Sequence, residues 1–192
     1  MNNTYYILRH GQTAYQMEKR GTIYPWPESS PVFLTEEGEK QAQKAAEELK
    51  GKSLDLIYSS DASRTRQTAE IVNKELGLEI IFDPRLRDVN AGIYNGRPEK
   101  DLLTEIPRLE ERLYKRPSQG ENWIDVQKRM IDFLKDIDKK HKNRNILIVS
   151  HKGPLWFLEV AVKGWDEESL LEVGQKGLAT AQFKKLEIDH EL

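Results

Sequence analysis

The sequence predicts an α/β fold, a three-layer α/β/α sandwich with a mainly parallel central sheet, and three observations lead there. Short apolar runs rich in Ile, Val, Leu and Tyr stand at residues 5–8, 54–58, 78–82 and 146–149 without clean alternation, the pattern of strands covered on both faces. Segments of helical period lie between them, and strands alternating with helices at this spacing form parallel sheets. The chain has 192 residues, 38% hydrophobic and 32% charged. That length makes one ordinary domain, able to bury roughly 70% of the surface that the unfolded chain exposes.

The elements follow in order. Tyr5 to Leu8 is the first strand. Residues 36–50 form a helix with Ala42, Ala45, Ala46 and Leu49 on one face and Thr35 as its N-cap. The strand at 54–58 is followed, after Ser60-Asp61, by a helix that groups Ala69, Val72 and Leu76, and then by the strand at 78–82. Trp123, Val126, Met130, Leu134 and Ile137 make a long helical stripe that ends in the basic run 139–144, where cations complement a helix C-terminus. Beyond the strand at 146–149, residues 154–163 are apolar nearly all round, with Pro154 in the first turn and Gly164 past the end, and should form a buried helix. A weaker strand at 180–188 loses its alternation near Lys184. The irregular stretches 21–31 and 88–120, rich in Gly, Pro, Asn and aromatics, are long for connections, and such loops are often functional.

Composition narrows the chemistry. Thirty Lys and Arg against 32 Asp and Glu leave a net charge of -2, so no global field draws the chain to nucleic acid or an anionic membrane. With no Cys, disulfides, Cys zinc sites and thiol nucleophiles are excluded. No stretch free of Asp, Glu, Lys and Arg exceeds eight residues, against the roughly 18 apolar residues of a membrane span. No signal-peptide pattern opens the chain, and a cytoplasmic location is the expectation. Asn2-Asn3-Thr4 fits a glycosylation sequon only by a cheap match. No His-x-x-His or His-x-x-x-His pair points to zinc, and neither metal nor cofactor is expected. Nothing in the composition forces an assembly.

Ligands of open α/β sheets bind beyond the carboxyl ends of the strands. The first strand is followed by Arg9-His10-Gly11-Gln12-Thr13, the second by Ser59-Ser60 with Arg64 one turn into a helix, and the fourth by Ser150-His151-Lys152-Gly153. A parallel sheet aligns these edges, giving two arginines and two imidazoles in one pocket. Arginine forks suit a tetrahedral anion, and the amides after His10 and at the helix start can add donors. A neutral imidazole can attack phosphorus while a second stabilises developing charge, with no metal required. A small phosphorylated substrate is the expected partner.

The chain here resembles the histidine phosphatase superfamily, which includes cofactor-dependent phosphoglycerate mutases and many small phosphatases. Five ordered blocks carry the resemblance: Arg9 to Thr13; Leu34, Thr35, Gly38, Gln41 and Ala42; Ser59, Ser60, Arg64, Gln67, Thr68 and Ala69; the segment 86–96; and Ser150-His151. The resemblance implies a phosphoglycerate mutase-like fold in a single domain over 1–192, with a small cap at about 88–123. It implies that His10 takes the phosphoryl group, that Arg9, Arg64 and His151 hold the phosphate, and that Gln12 and Thr13 shape the rim. Asp88 stands where the family usually has a Glu general acid, one methylene longer. Gln16 replaces the usual phosphate-side Asn, and Lys152 a usual Gly, either to contact an acidic substrate or to face solvent. The implied activity is phosphomonoester hydrolysis through a phosphohistidine. A phosphoglycerate mutase is the alternative, although members of that branch carry a longer insertion than the residues 97–120 present here. A phospho-ligand binding protein without turnover is the other.

Other features read more simply. His141 and His190 are expected to be solvated, and Trp26, Trp123, Trp156 and Trp165 to lie mostly in the core, with Trp26 able to line a substrate pocket. Gly51-Lys52-Ser53 mimics the end of a P-loop, but it precedes a strand and Ala46 stands where the early Gly is required. The run 139–144 is a helix end and not a nucleic-acid patch.

Overall fold

A computed structural model describes residues 1–26, 28 and 30–190; Pro27 and Ser29 of the 21–31 segment, and the last two residues, lie outside the described residues. The apolar runs form β1 (Thr4–Arg9), β2 (Leu56–Ser59), β3 (Glu79–Phe82) and β4 (Asn145–Ser150), with β5 (Phe183–Lys185) added late. The helices are α1 (Ala14–Met17), α2 (Glu36–Leu49), α3 (Ser63–Leu76), α4 (Glu99–Glu105), α5 (Trp123–Lys140), α6 (Lys152–Val162) and α7 (Val173–Lys176). The sheet order is β3-β2-β4-β1-β5, parallel throughout except for β5, which runs antiparallel to β1.

Strand side chains alternate between two apolar layers. Tyr5, Ile7, Tyr58, Ile146 and Ile148 pack with Met130, Phe133, Leu134 and Ile137 of α5 and Leu155 and Leu158 of α6. Leu8, Ile57, Leu147 and Val149 pack with Ala45, Ala46 and Leu49 of α2 and Ala69 and Val72 of α3. A sheet buried on both faces has no polar face to show, which is why the runs lack alternation.

Several boundaries and placements depart from the expectations. Helix α6 begins at Lys152, two residues before the expected Pro154. His151 is its extended N-cap, and Pro154 falls within the first turn, where a missing N–H costs no helical bond. β5 is only three residues long. Phe183 joins the α2/α3 layer, while Lys184 turns to the opposite face and pairs with buried Glu159, so a cation fills the slot where the alternation slips. Trp123 and Trp156 are buried, but Trp165 is 44% exposed, its ring against Trp156. His190 is exposed as expected, whereas half-buried His141 hydrogen-bonds through Nε2 to the Tyr58 hydroxyl. Among the described residues, no helix is long and apolar enough to cross a membrane.

Register brings the strand ends level. Arg9 lies opposite Ser150, and Ser59 opposite Val149. The loop after β1 then docks on the start of α2. A Cβ on Gly38 would sit 2.1 Å from the Gln12 carbonyl oxygen, and one on Gly11 would sit 2.5 Å from the Gly38 carbonyl oxygen. Only glycine permits this double approach of backbone to backbone. Gly38→Ala is therefore expected to destabilise the fold by about 1–3 kcal/mol, the usual cost of overpacking. Urea unfolding measures it, and an unshifted midpoint would show that the two segments can separate freely.

Candidate active site

The site is organised around Arg64, only 2% exposed, in the first turn of α3. Its NH1 donates to Glu28 Oε1 at 2.8 Å. Its NH2 lies 3.1 Å from His151 Nδ1 and 3.3 Å from Asp88 Oδ2. The guanidinium carbon stands 3.7 Å over the centre of the Tyr24 ring. Glu28 Oε2 also accepts from the backbone N–H and hydroxyl of Ser63, so a protein carboxylate occupies the α3 N-terminus.

Hydrogen bonds decide the histidine tautomers. His10 Nδ1 lies 2.8 Å from the Gly11 carbonyl oxygen, which can only accept. The proton is therefore on Nδ1, and Nε2 carries the free lone pair. His151 Nδ1 faces an arginine N–H, which can only donate, so Nδ1 is the acceptor and Nε2–H donates to Ser60 Oγ at 3.0 Å. The two rings lie 5.3 Å apart, centre to centre. Burial, with the nearby Arg64 charge, holds the pKa of each imidazole well below its ordinary value. Both are neutral at pH 7.

Arg9 anchors one end of its fork on the Leu178 carbonyl. The Nε atoms of Arg9 and Arg64 are buried and have no acceptor among the described residues, two donors from one neighbourhood left without an anion. Asp88, its side chain 29% exposed, sits 3.6 Å from His151 Nδ1 and accepts the Val89 N–H on Oδ1. Its backbone is held from behind by Arg129, which donates to the carbonyls of Arg85 and Asp88 and pairs with Glu121.

The remaining expected residues are near His10 but already engaged. Thr13 N-caps α1, and Gln16 closes the capping box by accepting from the Thr13 N–H and hydroxyl. Gln16 Nε2 donates to the Tyr24 hydroxyl, which lies 2.6 Å from Thr13 Oγ1, closing a three-membered ring of hydrogen bonds. Gln12 Oε1 accepts from Thr35. The amides of Gly11, Gln12 and Thr13 donate to Thr68, Gln41 and Gln16, so the expected backbone donors for an anion are committed to protein acceptors. Of the two courses expected for Lys152, the structure lies nearer the solvent-facing one: its Nζ makes an exposed hydrogen bond to the Gly174 carbonyl.

Three residues of the site carried no obvious sequence signal. Glu28 and Tyr24 lie in the aperiodic 21–31 loop. Arg129 lies on α5 beside the apolar stripe, next to Met130, and no period or spacing singles it out among the charged residues of that helix. Among the described residues, no group of three or more His, Cys, Asp or Glu side chains is placed to hold a metal ion.

Comparisons with known proteins agree on the family. The model of the histidine phosphatase superfamily (branch 1) matches residues 5–192. A probable phosphoglycerate mutase of Escherichia fergusonii is 34% identical over 173 residues, 86% of this chain and 78% of that one. Phosphoserine phosphatase 1 of Hydrogenobacter thermophilus is 32% identical over 138 residues, covering 69% of this chain and 65% of its own. The native structure of mycobacterial glucosyl-3-phosphoglycerate phosphatase superposes with a TM-score of 0.77 at 26% identity, covering 95% of this chain and 88% of that chain.

The depressed imidazoles set a pH dependence of stability. Unfolded histidines bind protons near their ordinary pKa of about 6.5, whereas His10 and His151 in the folded protein do not. Their contribution is complete above that value and is lost as pH falls below it, by up to about 1.4 kcal/mol per pH unit for each histidine. Urea unfolding between about pH 7 and about pH 5.5 should therefore show a steeper loss in the parent than in a His10→Gln/His151→Gln double variant. Equal slopes would mean that the buried rings titrate normally.

Proposed function

The chain belongs to the histidine phosphatase superfamily, and we propose that it is a metal-independent phosphatase that hydrolyses a phosphomonoester through a phosphohistidine at His10. The observation that carries this reading is the state of His10: neutral, with its proton held on Nδ1 by the Gly11 carbonyl, near buried Arg64 and half-buried Arg9, whose Nε atoms are both buried without an acceptor among the described residues. Nε2 attacks phosphorus, and the bond from phosphorus to the ester oxygen breaks. Asp88 gives its proton to that oxygen, and the alcohol leaves. The Asp88 carboxylate then takes a proton from water, whose oxygen attacks the phosphohistidine. The P–N bond breaks, inorganic phosphate departs, and His10 and Asp88 return to their starting states.

Arg9 and Arg64 neutralise the phosphoryl oxygens through the whole cycle. His151 takes part through Arg64, whose NH2 it accepts, and its ring closes the pocket opposite His10. Thr13, Gln16 and Gln12 keep the His10 loop in place. Residues 88–123 act as a cap over the site, placing Asp88 on one side of the reacting phosphorus.

The name of the Escherichia relative keeps a mutase as the second reading. A mutase must retain and turn a bisphosphorylated intermediate. The short segment 97–120 favours access of water instead. Incubation with 3-phosphoglycerate separates the two: release of inorganic phosphate is expected, and efficient formation of 2-phosphoglycerate would overturn the phosphatase reading.

Two substitutions test the roles. His10→Ala should abolish both turnover and acid-labile labelling by a phosphorylated substrate; persistent hydrolysis would refute the nucleophile. Asp88→Asn should lower kcat by about 10²-fold or more, with Asp88→Glu retaining much of it. A kcat unchanged in Asp88→Asn would remove the proposed acid.

A further inference from the structure

We infer that the leaving group carries a single carboxylate, read by Arg112 and Lys115 of the cap, so that the substrate is a phosphorylated hydroxy acid. This rests on the phosphatase reading, because it is the acid that locates the leaving oxygen. A group protonated by Asp88 extends from the Asp88 side of the phosphate, and two cavities meet Asp88. One, of about 60 Å³, is walled by Glu28, Asp61, Arg64 and Arg87. The other is about 280 Å³, and both Arg112 and Lys115 line it. An alcohol of several carbons takes the larger.

The charges on its walls do not cancel. Three carboxylates, Asp88, Glu99 and Glu121, face two cations, Arg112 and Lys115. Glu121 is paired with Arg129 through both of its oxygens and also accepts the Asn90 N–H. Glu99 is paired with Arg112, one oxygen lying 3.3 Å from each terminal nitrogen. In the proposed reaction Asp88 is protonated, and so neutral, when the ester is bound. Lys115 is left over: its Nζ donates to the Glu105 carbonyl at 2.6 Å and makes no ion pair among the described residues. One positive charge in the cavity is therefore uncompensated.

A second observation points to an anion beside it. Three buried side-chain donors have no acceptor among the described residues, the Nε atoms of Arg9, Arg64 and Arg112. The first two belong to the arginines proposed to hold the phosphate, and the third to the wall of this cavity. Because Glu99 lies across NH1 and NH2, the side edge of the Arg112 fork, with its Nε–H, is left for another acceptor. A buried donor without an acceptor is costly, and a ligand oxygen removes that cost. A planar fork and a point charge together suit a carboxylate. A neutral hydroxyl would satisfy Nε but leave the Lys115 charge unmatched, and a doubly charged phosphate would set an excess of negative charge against Glu99 and Glu121.

Two pairs of phosphomonoesters that differ in the carboxylate test this: 3-phosphoglycerate against glycerol 3-phosphate, and phosphoserine against phosphoethanolamine. Release of inorganic phosphate should give a kcat/KM at least about tenfold higher for the acid of each pair, the usual worth of a charge-assisted hydrogen bond. Arg112→Met should bring that ratio to near one. Lys115→Gln should lower it by about threefold, as expected of an exposed charge, and added salt should lower it in the parent more than in this variant. Lys115 is exposed, so its replacement keeps the test open even where Arg112→Met does not fold. Hydrolysis of both members of each pair at equal rates would sink the carboxylate subsite and keep the phosphatase. Calorimetric binding of the matching phosphonates, which cannot turn over, gives the converse: a preference for the acids without hydrolysis of any ester would sink the phosphatase and keep the subsite. An unchanged ratio in both variants would overturn the assignment to Arg112 and Lys115, and a preference for propane-1,3-diol bisphosphate over 3-phosphoglycerate would overturn the single charge.

Discussion

A guanidinium removed from water governs this structure. Arg64 is among the most buried side chains of the chain, and a buried charge is tolerated only where its neighbours are arranged to compensate it. Four groups from separate parts of the sequence do so: the Glu28 carboxylate, the Asp88 carboxylate, the His151 lone pair and the face of Tyr24. The loop 21–31, the segment after β3 and the start of α6 are thereby brought to one atom group at the end of β2. The same charge, with burial, keeps His10 and His151 from binding protons. In the proposed reaction, the cation that holds the phosphate therefore also keeps the His10 imidazole in the neutral form that can attack phosphorus.

Rigidity around His10 has a different origin. The amides that follow it all donate to side chains, from Thr68 on α3, Gln41 on α2 and Gln16 on α1. Gln67 in turn accepts the Leu34 N–H, joining α3 to the segment that leads into α2. Several positions that make up the sequence blocks thus hold one loop. In the proposed reaction, charge stabilisation falls to arginine side chains fixed in advance, with little reorganisation left for the reaction itself.

The meeting of the candidate residues was legible because a parallel sheet converts sequence position into spatial position. His10, Arg64 and His151 each follow an apolar run, and level strand ends are enough to bring them together. The 21–31 loop has no such translation rule. Tyr24 and Glu28 contribute through tertiary contacts that no period or spacing announces, and Arg129 is a partly buried charge flanking the apolar stripe of α5, with nothing in the pattern to set it apart from the other charges of that helix. The same limit explains Lys152, whose side chain lies at the surface but with a backbone partner that no spacing announces. Its long stem reaches a carbonyl near α7, a partner 22 residues away in sequence. The 180–188 strand was blurred because Lys184 occupies an inward position that only the buried Glu159 makes tolerable.

Asp88 draws these strands of the argument together. A carboxyl one methylene shorter than glutamate reaches a fixed phosphate only if its backbone is nearer, so in the proposed reaction the placement of the Asp88 backbone decides its reach. Arg129 grips the carbonyls of Arg85 and Asp88, and Glu121, which pairs with Arg129, also accepts the Asn90 N–H. The chain from 85 to 90 is in this way strapped to Arg129 of α5 and to Glu121, just ahead of that helix. With the backbone held there, Asp88 Oδ2 comes within 3.3 Å of Arg64 and 3.6 Å of His151. A longer acid could find that position by rotamer alone; as the proposed acid, Asp88 depends on a second arginine, whose hydrogen bonds go to the backbone behind it and to Glu121.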